Sequence, residues 1–530
     1  MRGGGTLLSC RNGNDFCGPY PASSEPSVRH APVVMFSRST SFYGKSMCMG
    51  CQPTHWHHRP PREDISMRLS IVCVLAMAYA TTIWAGPPVV VLIVGDDLGY
   101  AELGCYGQAI IKTPGIDRMA REGMRFTAYR SGAPVCAPSR CCLLTGKHSG
   151  HTAIRDNREQ KPHGQEPLTA GIPTLGNLFQ SKGFATAAAG KWGLGTHEDG
   201  GDPLKRGFDH FVGYYCQRHA HNHFPSFIYN DGAKVPQAGN TDSDTGATWS
   251  QDVFEKQALD WLDLNKDKPL FLFLPVIVPH VALQAPEDAI APYLGQFDDP
   301  PYLGGKGYRK HAHPRAAYAA MVSRMDRMAE RIVERLRQQG RERDAWVAVT
   351  SDNGPTHGGV GGSDSTFFKS TGGLRGLKGS VYEGGIRVPL VVWAPGRVAP
   401  GSTSALDCYA PDLFATLAEI AQSPPKATDG ISFLPTLIGN DGQKKHEYMY
   451  WEFPGYGGQQ AVLAGNLKLV RTQLNSKKPK TELFDLATDR QELADLAATQ
   501  PADVEKLLKI SRAARIPSKL FPFPALDEKN

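Results

Sequence analysis

The chain has 530 residues, enough for one large domain and a smaller one. With 41% hydrophobic and 21% charged residues it has the composition of an ordinary globular protein. Residues 1–66 hold seven Lys/Arg against four Asp/Glu and so carry +3 of the formal net charge of +6; the remainder is near neutral, and nothing in it suggests a nucleic-acid-binding stripe.

Residues 1–66 are rich in Gly, Ser, Pro and His, lack periodicity, and read as a mis-called start or a disordered extension. Met67-Arg68 then opens an apolar stretch, Leu69 to Ala85, with small residues at Ala78 and Ala80. A basic start, an apolar middle and a small-residue exit make residues 67–85 a secretory signal peptide. The stretch is shorter than the roughly 20 apolar residues of a transmembrane helix, although a membrane anchor is the competing reading. The signal implies a secreted or periplasmic protein with no stable membrane span once it is removed. Of the eleven cysteines, Cys105, Cys136, Cys141, Cys142, Cys216 and Cys408 remain beyond it, too few for a disulfide scaffold.

From residue 86 strands and helices alternate. Val89 to Val94 is a continuous β-branched run, the pattern of a buried strand. A helix follows from Thr113-Pro114 through Met124, another from Cys136 to a stop at Gly146, and a third from Thr174 to Lys182. Ala185 to Ala189 is a short strand, 253–264 a helix, and Leu270 to Val278 a buried strand. Ala316 to Gln339 is a long helix with Met321, Met325, Met328, Ile332 and Leu336 on one stripe. Trp346 to Thr350 and Val388 to Trp393 are further strands. This alternation predicts an α/β domain over 86–434 with a central, mostly parallel sheet. Residues 435–530 differ. Four short strands at 448–453, 460–464, 467–472 and 481–485 and a closing helix at 493–510 predict a small C-terminal α+β subdomain with an antiparallel sheet.

Chemistry concentrates at the predicted strand ends and at one helix start. Cys136 and Arg140 lie one helical turn apart and share a face at the positive end of their helix, where an anion is favoured. The spacing differs from the Cys-x5-Arg loop of tyrosine phosphatases. Asp96-Asp97 follows the first strand, and Asp352-Asn353 repeats the design 256 positions later (352 − 96). Ligands of open α/β sheets bind beyond the carboxyl ends of the strands. Adjacent acids there are costly unless they meet a cation. Three carboxylates and one amide oxygen suit Ca²⁺ or Mg²⁺ and not zinc. His219, His221 and His223 have no thiolate or carboxylate at sensible spacing and read as a solvated loop.

The run Cys136-Ala137-Pro138-Ser139-Arg140-Cys141-Cys142-Leu143-Leu144-Thr145-Gly146 resembles the sulfatase signature C-x-P-S-R-x-x-x-L-T-G. Gly190-Lys191-Trp192-Gly193-Leu194-Gly195, Pro279-His280 and Lys378-Gly379 through Arg387-Val388-Pro389 are similar to further elements of that family in the same order. The resemblance spans about residues 88–490. It implies an alkaline-phosphatase-like sandwich and hydrolysis of a sulfate monoester, on a sulfated carbohydrate or an aryl sulfate. It implies that a maturase oxidises Cys136 to formylglycine, an aldehyde whose hydrate is the nucleophile, and that Asp96, Asp97, Asp352 and Asn353 hold the divalent metal. Arg140 then orients the hydrate, Lys191 and Lys378 bind sulfate oxygens, and Lys378 or His280 protonates the leaving oxygen. One departure stands out. The family carries His where this chain has Gly193; His148, His151 and His197 are candidate replacements. Cys141 and Cys142 read as core or disulfide partners. A phosphodiester or phosphonate monoester hydrolase of the same superfamily and a non-catalytic glycan-binding descendant are the alternative readings.

Overall fold

The computed structural model describes residues 86–161, 164–305, 307–424 and 427–527, so the extension and signal segment assigned to 1–85 lie outside the described residues. Strand β1 (Val89–Gly95) is buried along its whole length and sits mid-sheet. The other strands of its sheet are β2 (Met124–Phe126), β3 (Ala185–Lys191), β4 (His210–Tyr214), β5 (Phe227–Asn230), β6 (Ala233–Pro236), β7 (Leu270–Pro275), β8 (Ala345–Ser351), β9 (Leu390–Trp393) and β10 (Ser402–Ser404). The order across the sheet is β10-β2-β9-β8-β1-β7-β3-β4-β5-β6. The central strands β8, β1, β7, β3 and β4 run parallel, as their unbroken apolar runs require, because helices cover both faces. Antiparallel strands extend both flanks, which makes the whole sheet mixed.

The two faces of β1 feed two cores. Val89, Val91 and Ile93 pack with the methionine stripe of the long helix Pro314–Gln338. Val90, Leu92 and Val94 pack with Leu144, Phe179 and Leu413, contributed by the helices Cys136–Thr145, Leu175–Gln180 and Ala410–Ile420. All ten residues of Cys136–Thr145 are buried, and Gly146, at φ 67°, closes the helix in the left-handed conformation that glycine tolerates.

Several boundaries moved for local reasons. The helix opened by Pro114 ends at Glu122, not Met124, because Gly123 breaks it and Met124 pairs with Val392. The strand from Leu270 stops at Pro275, short of Val278. The strand from Ala185 runs on to Lys191 and carries that lysine to its end.

The C-terminal sheet is antiparallel in the order β11 (Met449–Phe453), β12 (Gln459–Ala464), β13 (Leu467–Thr472), β14 (Lys480–Asp485). The closing helix begins at Pro501, which suits a first helical turn, and not at Leu493, which lies exposed outside any helix or strand. One face of this sheet packs on Val381, Tyr382 and Ile386 and the other lies under the helix Pro501–Ala513. At the first of these contacts Glu383 binds Arg130 Nε at 2.9 Å, Arg387 Nε at 2.6 Å and Lys468 Nζ at 2.9 Å, all buried. The Glu and Arg of the Y-E-G-G-x-R run are therefore structural. No helix among the described residues is long and apolar enough to cross a membrane.

Candidate active site

Parallel pairing of β1 and β8 sets Gly95 opposite Ser351 and so delivers Asp96-Asp97 and Asp352-Asn353 to one point. Backbone bonds fix the join: Asp352 N–H donates to Gly95 O at 3.0 Å and Asp97 N–H to Asp352 Oδ1 at 3.2 Å. Asp97 holds φ 67°, a left-handed turn that brings its carboxylate back over the strand ends. All four side chains are buried.

The cysteine helix begins at the same place. Cys136 Sγ lies 3.4 Å from Asp96 Oδ1. Arg140, one turn along, donates through Nε to Asp352 Oδ2 at 3.0 Å and also bonds Lys191 O. Lys191 Nζ bonds Asp96 Oδ2, and Lys378 Nζ reaches Asp97 at 2.8 Å. His280 Nε2 stands 3.7 Å from Asp97 Oδ2. The structure thus brings Cys136, Arg140, Lys191, His280 and Lys378 together around Asp96, Asp97, Asp352 and Asn353.

Three carboxylates, Asp96, Asp97 and Asp352, face three cations, Arg140, Lys191 and Lys378. Burial alone raises the Asp96 carboxyl, but Lys191, His280, Arg140 and Lys378 hold it well below the usual range. Burial likewise opposes Asp97, which Lys378 and His280 pull down. Asp352 is pushed up to about 6 by burial and by Asp96, despite Arg140. Burial pushes the Cys136 thiol up to about 12, outweighing Lys191 and Lys378. An unmodified Cys136 is therefore a neutral thiol at pH 7, a poor nucleophile. His280 is lowered to about 4 by burial and Lys378.

The donors lie close enough together to hold a metal ion. Asp96, Asp97, Cys136 and His280 each offer an atom within 4.8 Å of the others. Asn353 Nδ2 donates to Asp97 Oδ1 at 2.7 Å and to Gly354 O at 2.9 Å. Its Oδ1 is left buried with no partner. An orphaned amide oxygen beside three buried carboxylates leaves a donor free for a metal ion.

Other expectations fail or sharpen. His148 and His151 lie beyond the far end of the cysteine helix, about 15 Å of helix from Cys136, and pair with Asp429. His197 stacks on Tyr215. None of the three takes the place opened by Gly193. A Cβ on Gly193 would instead meet Gln217 Nε2 at 3.4 Å and Arg140 Cδ at 3.9 Å. Gln217 Nε2 donates to Asn157 Oδ1, which also accepts Ala137 N–H at the helix start. The histidine cluster is no solvated loop: His223 is buried and His221 stacks on His280 with ring centroids 4.8 Å apart. Its H-A-H-N-H spacing was the available signal. Cys141 and Cys142 are buried core thiols, and all six described cysteines are free. Thr356, which bonds Asp97 Oδ2 through Oγ1, carried no motif.

The family profile described as Sulfatase matches residues 88–423, and one described as N-sulphoglucosamine sulphohydrolase, C-terminal, matches 377–513. The chain belongs to the sulfatase family. It is thereby a sulfuric ester hydrolase of alkaline-phosphatase-like fold. It is 30% identical over 465 residues to N-acetylgalactosamine-6-sulfatase of Canis lupus familiaris, covering 82% of this chain and 81% of the relative. It is 29% identical to arylsulfatase A of Homo sapiens, over 72% of this chain and 73% of that one. The crystal structure of Ps i-CgsB in complex with k-i-k-neocarrahexaose superposes with a TM-score of 0.67 at 25% identity, covering 80% of this chain and 92% of that one. Phosphonate monoester hydrolase of Agrobacterium radiobacter shares the fold at 22% identity and a TM-score of 0.57, with 81% and 96% covered.

Proposed function

We propose that this sulfatase hydrolyses the sulfate monoester of a carbohydrate, using formylglycine at position 136 and a divalent cation, Ca²⁺ or Mg²⁺, held by Asp96, Asp97, Asp352 and Asn353. The observation that carries the reading is the placement of Cys136 Sγ 3.4 Å from Asp96, inside a ring of buried carboxylates with one unpartnered amide oxygen. The cation would lower the pKa of a hydroxyl on the formylglycine hydrate, and the aldehyde lets sulfate leave without water attacking sulfur.

The chain's own residues do the rest. Arg140, fixed on Asp352, faces position 136 and offsets negative charge. Lys191 and Lys378 are donors for sulfate oxygens, pre-positioned by Asp96 and Asp97. Lys378 or His280 gives the proton to the leaving oxygen. His280 is neutral near pH 7 and needs to take up a proton first, whereas Lys378 is held charged by Asp97 against burial. That favours Lys378. Burial of the whole cluster removes competing water and strengthens each contact.

The sugar assignment rests on the relatives: one is named for N-acetylgalactosamine 6-sulfate, and one solved neighbour is complexed with a neocarrahexaose. Export follows from the 67–85 segment, and a formylglycine-generating maturase is the required partner. The test is mass spectrometry of the tryptic peptide ending at Arg140 after co-expression with a maturase, alongside sulfate release. Active enzyme carrying only thiol at position 136 would overturn the reading. Faster turnover of a phosphonate or phosphate ester than of the matching sulfate would transfer it to the sister activity.

A further inference from the structure

The mouth of the site can be located from exposure. Asp96, Asp97, Arg140 and Lys191 have side chains at most 1% exposed and His280 6%, whereas Lys378 reaches 13%. Substrate therefore enters, and the alcohol leaves, past Lys378. The residue beside that opening comes from the C-terminal sheet. Tyr456 lies in the turn between β11 and β12, Gly455-Tyr456-Gly457-Gly458, and its ring covers Gly379, the neighbour of Lys378. A Cβ on Gly379 would sit 1.9 Å from Tyr456 Cε2, so only glycine permits the contact. Gly379 is in turn tied to the loop before the nucleophile, its N–H donating to Pro134 O at 2.7 Å.

Tyr456 has two features that core packing does not explain. It is the most exposed aromatic side chain among the described residues, at 63%. Its backbone holds φ 47°, a left-handed conformation that bulky residues rarely adopt. Strain of this kind, kept at the rim of a reactive site, points to use. The Cδ2–Cε2 side of the ring rests on Gly379, and the ring also meets His357, with centroids 5.8 Å apart and the planes at 57°. Phe453 packs edge-to-face against the Tyr456 ring, with centroids 5.5 Å apart and the planes at 87°, and the remaining surface faces outward. Beyond His357, a groove of about 990 Å³ runs along Gly376 and Leu377 towards Phe367 and Tyr106, wide enough for more than one sugar unit.

We propose that Tyr456 is the aromatic platform on which the alcohol part of the substrate, a pyranose ring, lies when its sulfate is between Lys191 and Lys378. A pyranose presents an apolar C–H face that matches an exposed ring, and hydroxyls on its edges that reach His357. The inference rests on the carbohydrate reading above and deepens it by assigning a residue that selects the sugar. Tyr456 positions and selects; it takes no part in bond breaking.

The test uses the matured full chain, its aldehyde verified. Sulfate release is first screened on oligosaccharides of chondroitin 6-sulfate, carrageenan and heparan sulfate and on 4-nitrophenyl sulfate. On the best saccharide, Tyr456→Ala is expected to raise KM roughly tenfold, the size of one aromatic contact, with kcat within about twofold. Tyr456→Phe is expected to keep the wild-type KM. The inhibition constant of inorganic sulfate, which fills the anion pocket alone, is expected to be the same in all three. An unchanged KM in Tyr456→Ala, or a KM and a sulfate inhibition constant that rise together, would overturn the platform. Turnover of the aryl ester with no saccharide accepted would also overturn it while leaving the sulfatase intact. No sulfate from any ester despite the verified aldehyde would instead remove the reading beneath it.

Discussion

Asn353 Nδ2 donates to Asp97 Oδ1 at 2.7 Å and so ties the ends of two strands that are 256 positions apart in the chain (353 − 97). The Oδ1 of the same amide is buried without a partner. Asn353→Ala is expected to remove both the tie and a cation ligand. Sulfate release should fall roughly 100-fold, in the range seen when a metal site loses a supporting group, and recover in part with excess Ca²⁺. Chelation should silence the wild type, with activity restored by Ca²⁺ or Mg²⁺. A wild type that keeps full turnover in excess chelator would show that the cluster holds no catalytic ion.

Lys191 is buried at the end of β3 and bonded to Asp96. Lys191→Ala is expected to lower kcat by about two to three orders of magnitude, the usual cost of one preorganised donor at developing charge. The deletion also strips Asp96 of its nearest cation, so thermal stability must be read beside the rate. A variant as stable as the wild type and within about threefold of its kcat would remove Lys191 from the sulfate site.

Much of this was legible in the chain because it is local. Val89 to Val94 and the Asp-Asp after it announce a buried strand with acids at its carboxyl end, and β8 repeats the design. The cysteine helix carries its own start and stop in Pro138 and Gly146. What sequence could not supply was pairing between distant segments. His221 reads as one of three loop histidines until the fold stacks it on His280. Gln217 faces Gly193 only because the backbone following β4 runs on beside that following β3. Tyr456 is an ordinary turn tyrosine until the C-terminal sheet sets it on Gly379.

The Glu383 network gives a prediction about stability alone. Glu383 is fully buried and takes Arg130, Arg387 and Lys468, the last from β13 of the C-terminal sheet. Breaking one partner of a buried ion pair leaves an uncompensated charge and typically costs about 3–5 kcal/mol. Glu383→Gln is expected to lower the unfolding free energy by about that amount, with conversion of Cys136 unimpaired in whatever fraction folds. Urea unfolding measures it, and a loss below about 1 kcal/mol would mean that Asp407 and Glu492, which pair with Arg130 and Lys468, already compensate the cations.

Asp429 sets an acid limit. It accepts His148 N–H and the His151 ring N–H, each at 3.0 Å, and so pins the segment that leaves the cysteine helix. Burial alone would raise its pKa, but the His151 bond and the His148 contacts bring it down to about 2 from 3.8. A carboxyl lowered in the folded state stabilises above its unfolded pKa, and that contribution is lost as the pH falls through the folded one. The shift corresponds to roughly 2 kcal/mol at neutral pH, an upper figure for a partly solvated group. Asp429→Asn is therefore expected to unfold at lower urea than the wild type at pH 7 and at pH 5 by the same margin. That margin should shrink between about pH 4 and pH 2, as the wild-type carboxyl takes up its proton. Urea midpoints at pH 7, 5 and 3 decide it: a gap of constant size at all three would mean that shape, and not charge, is what Asp429 contributes.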